Sequence, residues 1–131
     1  MTTDIYAASL MSANLVKTKP ERSVDKVVEK MNKHNINSVV VEGEDYLGIF
    51  TTSDLVCAID SNNKPVEKLS VVECATENPV SVNPTSDLQT VLQILFKENF
   101  HHVLVESEGK LCGIISTSDV VDYVSLIDHK I

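Results

Sequence analysis

Apolar positions recur along this chain with two different periods. From Ser23 onward, Val24, Val27, Val28 and Met31 fall at i, i+3, i+4 and i+7. That spacing predicts one face of an amphipathic helix, with Ser23 placed to cap its start and Asn35 and Asn37 flanking its end. Ser38-Val39-Val40-Val41-Glu42 is β-branched and too short for a helix, so it predicts a buried strand. Gly43-Glu44-Asp45 turns the chain, and Tyr46 to Phe50 returns as the hairpin partner. A second helix is expected from about Thr52 to Ile59. Ahead of this block, Ile5 to Met11 predicts one or two helical turns, and Leu15 to Thr18 a short strand stopped by Pro20.

Asp60-Ser61-Asn62-Asn63-Lys64-Pro65 is polar, turn-forming and without periodicity, which marks a linker. After it the same order returns. Val71 to Ala75 is a short helical candidate and Pro79 to Val82 a strand ending at Pro84. Ser86 and Gln89 stand at capping-box spacing. Leu88, Val91, Leu92 and Leu95 repeat the helical face. His102 to Glu106 and Lys110 to Ile115 form a second hairpin, and Thr117 to about Ile127 the last helix. Pro20/Pro84, Asn35/Asn99, Val39/Val103, Val41/Val105 and Glu42/Glu106 keep one offset, whereas Gly48/Gly113, Ile49/Ile114, Thr52/Thr117, Ser53/Ser118 and Asp54/Asp119 keep an offset one residue longer. The extra residue is expected in the turn region of the second hairpin, where solvated backbone tolerates it. The chain is a duplication: repeat one over 8–60, a linker over 61–70, and repeat two over 71–131.

Composition narrows the function. With 131 residues, 43% hydrophobic and 23% charged, the chain can build one soluble core. No apolar run approaches the ~20 residues of a bilayer span, and Met1-Thr2-Thr3-Asp4 lacks the basic-then-apolar order of a leader. No membrane association is expected. Cys57, Cys74 and Cys112 have neither metal spacing nor an even count, which predicts reduced thiols and a cytoplasmic protein. A net charge of −8 argues against a nucleic-acid duplex as partner, while leaving room for a local phosphate pocket.

The candidate chemistry sits at the end of each hairpin, in Gly48-Ile49-Phe50-Thr51-Thr52-Ser53-Asp54 and Gly113-Ile114-Ile115-Ser116-Thr117-Ser118-Asp119. An acid in the first turn of a helix can accept from both vicinal hydroxyls of a ribose, as the acidic residue of dinucleotide folds does. The neighbouring hydroxyls lie where backbone N–H groups and the helix dipole favour an anion. The same spacing, [S/T]-x-x-[D/E], is also a capping box, and a cap alone would account for either copy.

These residues resemble the cystathionine-β-synthase (CBS) domain pair, whose signature is a strand, an x-Pro turn, an amphipathic helix, a hairpin, and Gly-hydrophobic-hydrophobic-[Thr/Ser]-x-x-Asp opening a second helix. The resemblance extends from about Leu10 to Tyr123. Val40 and Leu104 stand where many members have proline, a difference that bears on the cleft wall. The resemblance implies an α/β (α+β) fold of tandem β-α-β-β-α repeats forming one pseudo-two-fold disc with clefts between the repeats, a regulatory rather than catalytic role, and frequent pairing into homodimers. It implies as ligand an adenine nucleotide (AMP, ADP or ATP) or S-adenosylmethionine, with no required cofactor. The site residues are then Thr51 and Asp54 in repeat one and Ser116, Ser118 and Asp119 in repeat two, with Ile49, Ile114, Val39 and Val103 as apolar walls. His101 and His102, aligned with Asn37 and Ser38, are candidates for phosphate, by similarity to a His-Arg pair in the nucleotide-sensing subunit of AMP-activated protein kinase. Lys17 with Thr18, aligned with Ser81, is the further cationic candidate; an exposed lysine at a strand end is its plainer reading. Two other readings compete: a ligand-independent adaptor whose boxes are only caps, and an enzyme pairing His101 or His102 with Asp119. The last lacks a nucleophile, a metal set or a Gly-rich phosphate loop.

Overall fold

A computed structural model describes residues 5–61, 64–98 and 100–128. Met1 to Asp4, the linker residues Asn62 and Asn63, Asn99 and residues 129–131 lie outside the described residues.

Each amphipathic segment becomes the expected element, and the middle of each hairpin is buried on both faces: Val39, Val40 and Val41 in the first and Val103, Leu104 and Val105 in the second. Helix α1 (Ala7–Leu10) precedes strand β1 (Lys17–Thr18), α2 (Val24–His34), β2 (Ser38–Glu42), β3 (Leu47–Thr51) and α3 (Thr52–Ser61). Two single 3₁₀ turns (Val66–Lys68, Val71–Glu73) lead to β4 (Thr76–Glu77) and β5 (Ser81–Val82). Then come α4 (Leu88–Leu92), a wider π turn (Gln93–Lys97), β6 (His102–Ser107), β7 (Lys110–Ser116) and α5 (Thr117–Asp128). The strands form two sheets, β1-β2-β3-β4 and β5-β6-β7. β1 runs parallel to β2 and β5 parallel to β6; the hairpin pairs and β3–β4 are antiparallel. The fold is mixed α/β, as the sequence implied.

The packed units are not the sequence repeats. One unit is Val16–Pro79; the other joins the chain up to Leu15 with the chain from Val80 onward. In the Val16–Pro79 unit, Val24, Val27 and Met31 of α2 meet Val39, Val41 and Phe50, and Leu69 and Val71 complete the core. In the other, Ala7 and Leu10 of α1 join Val91, Leu95, Val103, Val105, Ile115 and Val120. The segment that opens each repeat therefore packs on the hairpin of the other: Ser12 bridges Ile114, and Thr76 is registered with Ile49. Local periodicity cannot foretell such an exchange, because it specifies faces and not partners.

Three local expectations need correction. The extra residue of repeat two is not in the turn. Val105 is registered with Gly113 and Glu106 with Leu111, so Cys112 bulges out of β7, whereas Val41/Gly48 and Glu42/Leu47 are continuous. A bulge absorbs one residue without altering the tight turn. That turn is Glu108-Gly109, both with positive φ (52° and 81°), the two-residue geometry that suits a hairpin's twist. Next, the cap of α4 is Asp87, which accepts from the N–H of Thr90 at 2.9 Å; Ser86 instead accepts from the N–H of Asn83. Finally, Ser23 occupies the cap position of α2, but its side chain makes no cap bond. The far end of α2 is closed by Asn35 in the left-handed region (φ 53°), a conformation asparagine tolerates.

Candidate functional site

Strand register lines up one row of side chains in each sheet. In the first, Lys17 is registered with Val40, Val40 with Ile49, and Ile49 with Thr76. In the second, Ser81 is registered with Leu104, Leu104 with Ile114, and Ile114 bridges Ser12. Side chains alternate faces along a strand. These rows therefore lie opposite Val39, Val41, Val103 and Val105, which enter the cores. The apolar pair of each row is thus Val40 with Ile49 and Leu104 with Ile114. Val39 and Val103, expected as walls, are registered with the core residues Phe50 and Ile115 and share their inward face.

Each row adjoins the box at the strand's end. The N–H of Thr51 donates to Asp54 Oδ2 at 2.9 Å, and the Thr51 hydroxyl reaches the same oxygen at 3.2 Å. Thr76, from the exchanged segment, donates its hydroxyl to Asp54 Oδ1 at 3.3 Å. In the other unit the N–H of Ser116 donates to Asp119 Oδ2 at 2.8 Å, and Ser116 Oγ accepts the N–H of Asp119 at 3.2 Å. There the Ser116 hydroxyl lies 3.2 Å from Ser118 Oγ and does not turn to the carboxylate. Among the described residues no other hydrogen bond reaches the Asp119 carboxylate. Both boxes are thus real caps, and both carboxylates are half-buried at the start of a helix.

Close backbone approach holds each exchanged segment in place. A Cβ on Gly48 would lie 2.6 Å from Tyr46 Oη and 2.9 Å from the Thr76 carbonyl. One on Gly113 would lie 2.6 Å from Met11 Sδ and 2.8 Å from the Ser12 carbonyl. The phenol of Tyr46 is buried without a hydrogen-bond partner. Burial pushes its pKa up, with the charges of Glu77 and Asp54 adding. Burial likewise raises the Cys74 thiol, helped by Glu73 and Asp54. The surroundings of Asp54 are therefore acidic.

The other candidates divide between the units. Lys17 is exposed and its ammonium already stands 3.2 Å from Glu42 Oε1, while Thr18 is buried. Asn37 and His101 play matching backbone parts: their carbonyls accept from the N–H of Thr52 (3.2 Å) and of Thr117 (3.3 Å), fastening α3 and α5. Their side chains are exposed. His102 is registered directly with Ser116, beside the Asp119 box, and Ser81 is exposed at the far end of that row. Ile114 is partly exposed, whereas Ile49 is 4% exposed. Ser81, His101, His102, Ile114, Ser116, Ser118 and Asp119 thus share one unit, and Lys17, Thr18, Asn37, Ile49, Thr51 and Asp54 the other. Ser12, Thr76 and Tyr46 escaped the sequence reading. A signal existed for two of them, since Ser12 and Thr76 stand equally far ahead of the matched prolines Pro20 and Pro84. No group of three or more His, Cys, Asp or Glu is placed to hold a metal among the described residues. None of the described helices is long and apolar enough to cross a membrane.

Comparison with known proteins agrees with this architecture. An uncharacterised 17.7 kDa protein of Acidianus ambivalens is 30% identical over 107 residues, covering 78% of this chain; the chain spans only 62% of that relative's length. A crystal structure of an uncharacterised conserved protein from Pyrococcus horikoshii superposes with a TM-score of 0.84 at 28% identity, covering 95% of each chain. That of a CBS-domain containing protein from Agrobacterium tumefaciens gives 0.82 at 31% identity, covering 91% of this chain and 98% of the other. The CBS domain family profile matches residues 7–61 and again 71–126. With the duplication, the two sheets and the paired boxes, these matches establish that the chain belongs to the CBS domain family and carries two copies of the domain.

Proposed function

We propose that the protein is a regulatory module that senses an adenine nucleotide or S-adenosylmethionine and performs no catalysis itself. Tandem CBS domains are in general regulatory ligand-binding modules; the ligand class is the step beyond. One observation carries it: a sheet row with an apolar pair at its centre adjoins a half-buried carboxylate at a helix start, with backbone N–H groups and hydroxyls beside it. Ile114, the partly exposed member of the two pairs, suits a purine face, with Val40, Ile49 and Leu104 buried; the carboxylate suits a ribose diol, and the helix start suits a phosphate. Binding would bias one arrangement of the protein over another, a coupling typically worth about 1–3 kcal/mol.

Calorimetry with AMP, ADP, ATP and S-adenosylmethionine is expected to find at least one binder. Absence of binding at millimolar concentration to the native chain overturns the proposal and leaves the adaptor reading, in which both boxes serve only as caps. Val56 and Ile59 of α3 and Val121 and Val124 of α5 are exposed apolar residues. They support a homodimer, to be checked by light scattering of the Val56→Glu/Val121→Glu variant against the native protein.

A further inference from the structure

We infer that a ribose ligand is gripped at Asp119 and not at Asp54, and that Thr76 is the residue that closes the Asp54 box. This rests on the adenylate reading above and deepens it. A carboxylate offers about four acceptor positions, and a vicinal diol takes two. Asp54 has already accepted from the Thr51 N–H, the Thr51 hydroxyl and the Thr76 hydroxyl, on both of its oxygens. Asp119 has accepted from the Ser116 N–H, on Oδ2. Asp54 thus retains room for one hydroxyl, whereas Asp119 retains room for both and keeps Oδ1 open.

The difference originates in the exchanged segments. Thr76 and Ser12 occupy matching positions against Ile49 and Ile114. Threonine is restricted at χ1 on a strand, which holds its hydroxyl toward Asp54; serine is not, and the Ser12 hydroxyl makes no bond to Asp119. Charge points the same way. The segment over Asp54 brings Glu77, together with a Glu73 already paired with Lys64 at 3.6 Å, where the segment over Asp119 has Ser9 and Ala13. Burial raises the pKa values of Tyr46 and Cys74, and the nearby carboxylates add to it, Glu77 and Asp54 for the first and Glu73 and Asp54 for the second. An anionic phosphate is disfavoured there, while His102 stands beside Ser116 in the other unit.

The test is calorimetry and native mass spectrometry on the full chain with the tightest adenylate of the panel, and with adenosine. The native chain is expected to bind one molecule, and Asp119→Asn, which keeps a capping acceptor, to weaken it at least tenfold. The 2′,3′-dideoxy analogue should lose a similar factor on the native chain and no further factor on Asp119→Asn, a readout that a folding defect would not mimic. Thr76→Val should keep the first affinity and bind a second adenosine, the uncharged ligand that Glu77 does not repel. Two molecules per native chain, full affinity in Asp119→Asn, or one adenosine in Thr76→Val overturns the inference. Failure of every adenylate to bind the native chain overturns the adenylate reading itself.

Discussion

The unit around Asp54 and the unit around Asp119 were built from one pattern, and the same elements do different work in them. Above Gly48 the space is filled by the Tyr46 phenol, and Ala75 takes the position that Met11 holds in the other unit. Above Gly113 it is filled by Met11. Thr76 engages one carboxylate where Ser12 leaves the other alone. α4 is capped by the Asp87 side chain, while its counterpart α2 begins at Ser23 with no side-chain bond. Duplication thus preserved the frame, and divergence settled in the few contacts where a polar group meets the exchanged segment.

The largest effect that would test this equivalence lies in the cores. Phe50 and Ile115 are fully buried at matching positions. Phe50→Ala is expected to lower stability by about 3–5 kcal/mol and Ile115→Ala by about 2–5 kcal/mol, read by urea denaturation. A mild result for one alone would show that its unit repacks and the other does not. Next come the glycines: Gly48→Ala and Gly113→Ala each drive a Cβ to within 3 Å of a backbone carbonyl, and should cost about 1–3 kcal/mol. Gly113 should be no more tolerant than Gly48, although the flexible Met11 can move, because the Ser12 carbonyl cannot.

The boxes themselves come third. Asp54→Ala removes three bonds and Asp119→Ala one, so within the ~0.5–2 kcal/mol typical of lost caps the first should stand near the top and the second near the bottom. Equal losses would show that the Thr76 bond contributes nothing. The smallest effect is one of pH. Hydrogen bonds from the Thr90 side chain and backbone hold the exposed Asp87 carboxyl below the usual aspartate range. Its folded pKa lies under its unfolded one, so its contribution is complete above about pH 4 and is lost as the pH falls through the lower value. Asp87→Asn should flatten that acid limb while leaving the neutral-pH melt nearly unchanged, since asparagine caps equally well. Ser23→Ala should alter neither.

Much of this frame was legible in the chain. The period-3.6 faces at Val24–Met31 and Leu88–Leu95, the two hairpins and both carboxylate boxes follow from spacing alone. Strict alternation should also have placed Val40 and Leu104 beside the isoleucines, since Val39 and Val103 fall on the opposite face. The rest was hidden for physical reasons. Ser86 and Asp87 both suit a cap, and only the backbone path selects between them. The bulge at Cys112 and a longer turn leave the same offset in an alignment. The bond from Thr76 to Asp54 joins residues far apart in sequence, which no local window contains.

The trade of opening segments has a practical corollary. Severing the protein between the two homologous stretches would strip from each fragment the piece that covers its own hairpin. The first fragment would forfeit Leu69, Val71 and the edge strand at Thr76, and the second would forfeit Ala7, Leu10 and Met11. The divisible part is Val16–Pro79, whose sheet and apolar interior lie within one continuous span, whereas the remainder must be rejoined from both ends of the polypeptide. Trimming the amino terminus therefore injures the half of the molecule encoded last.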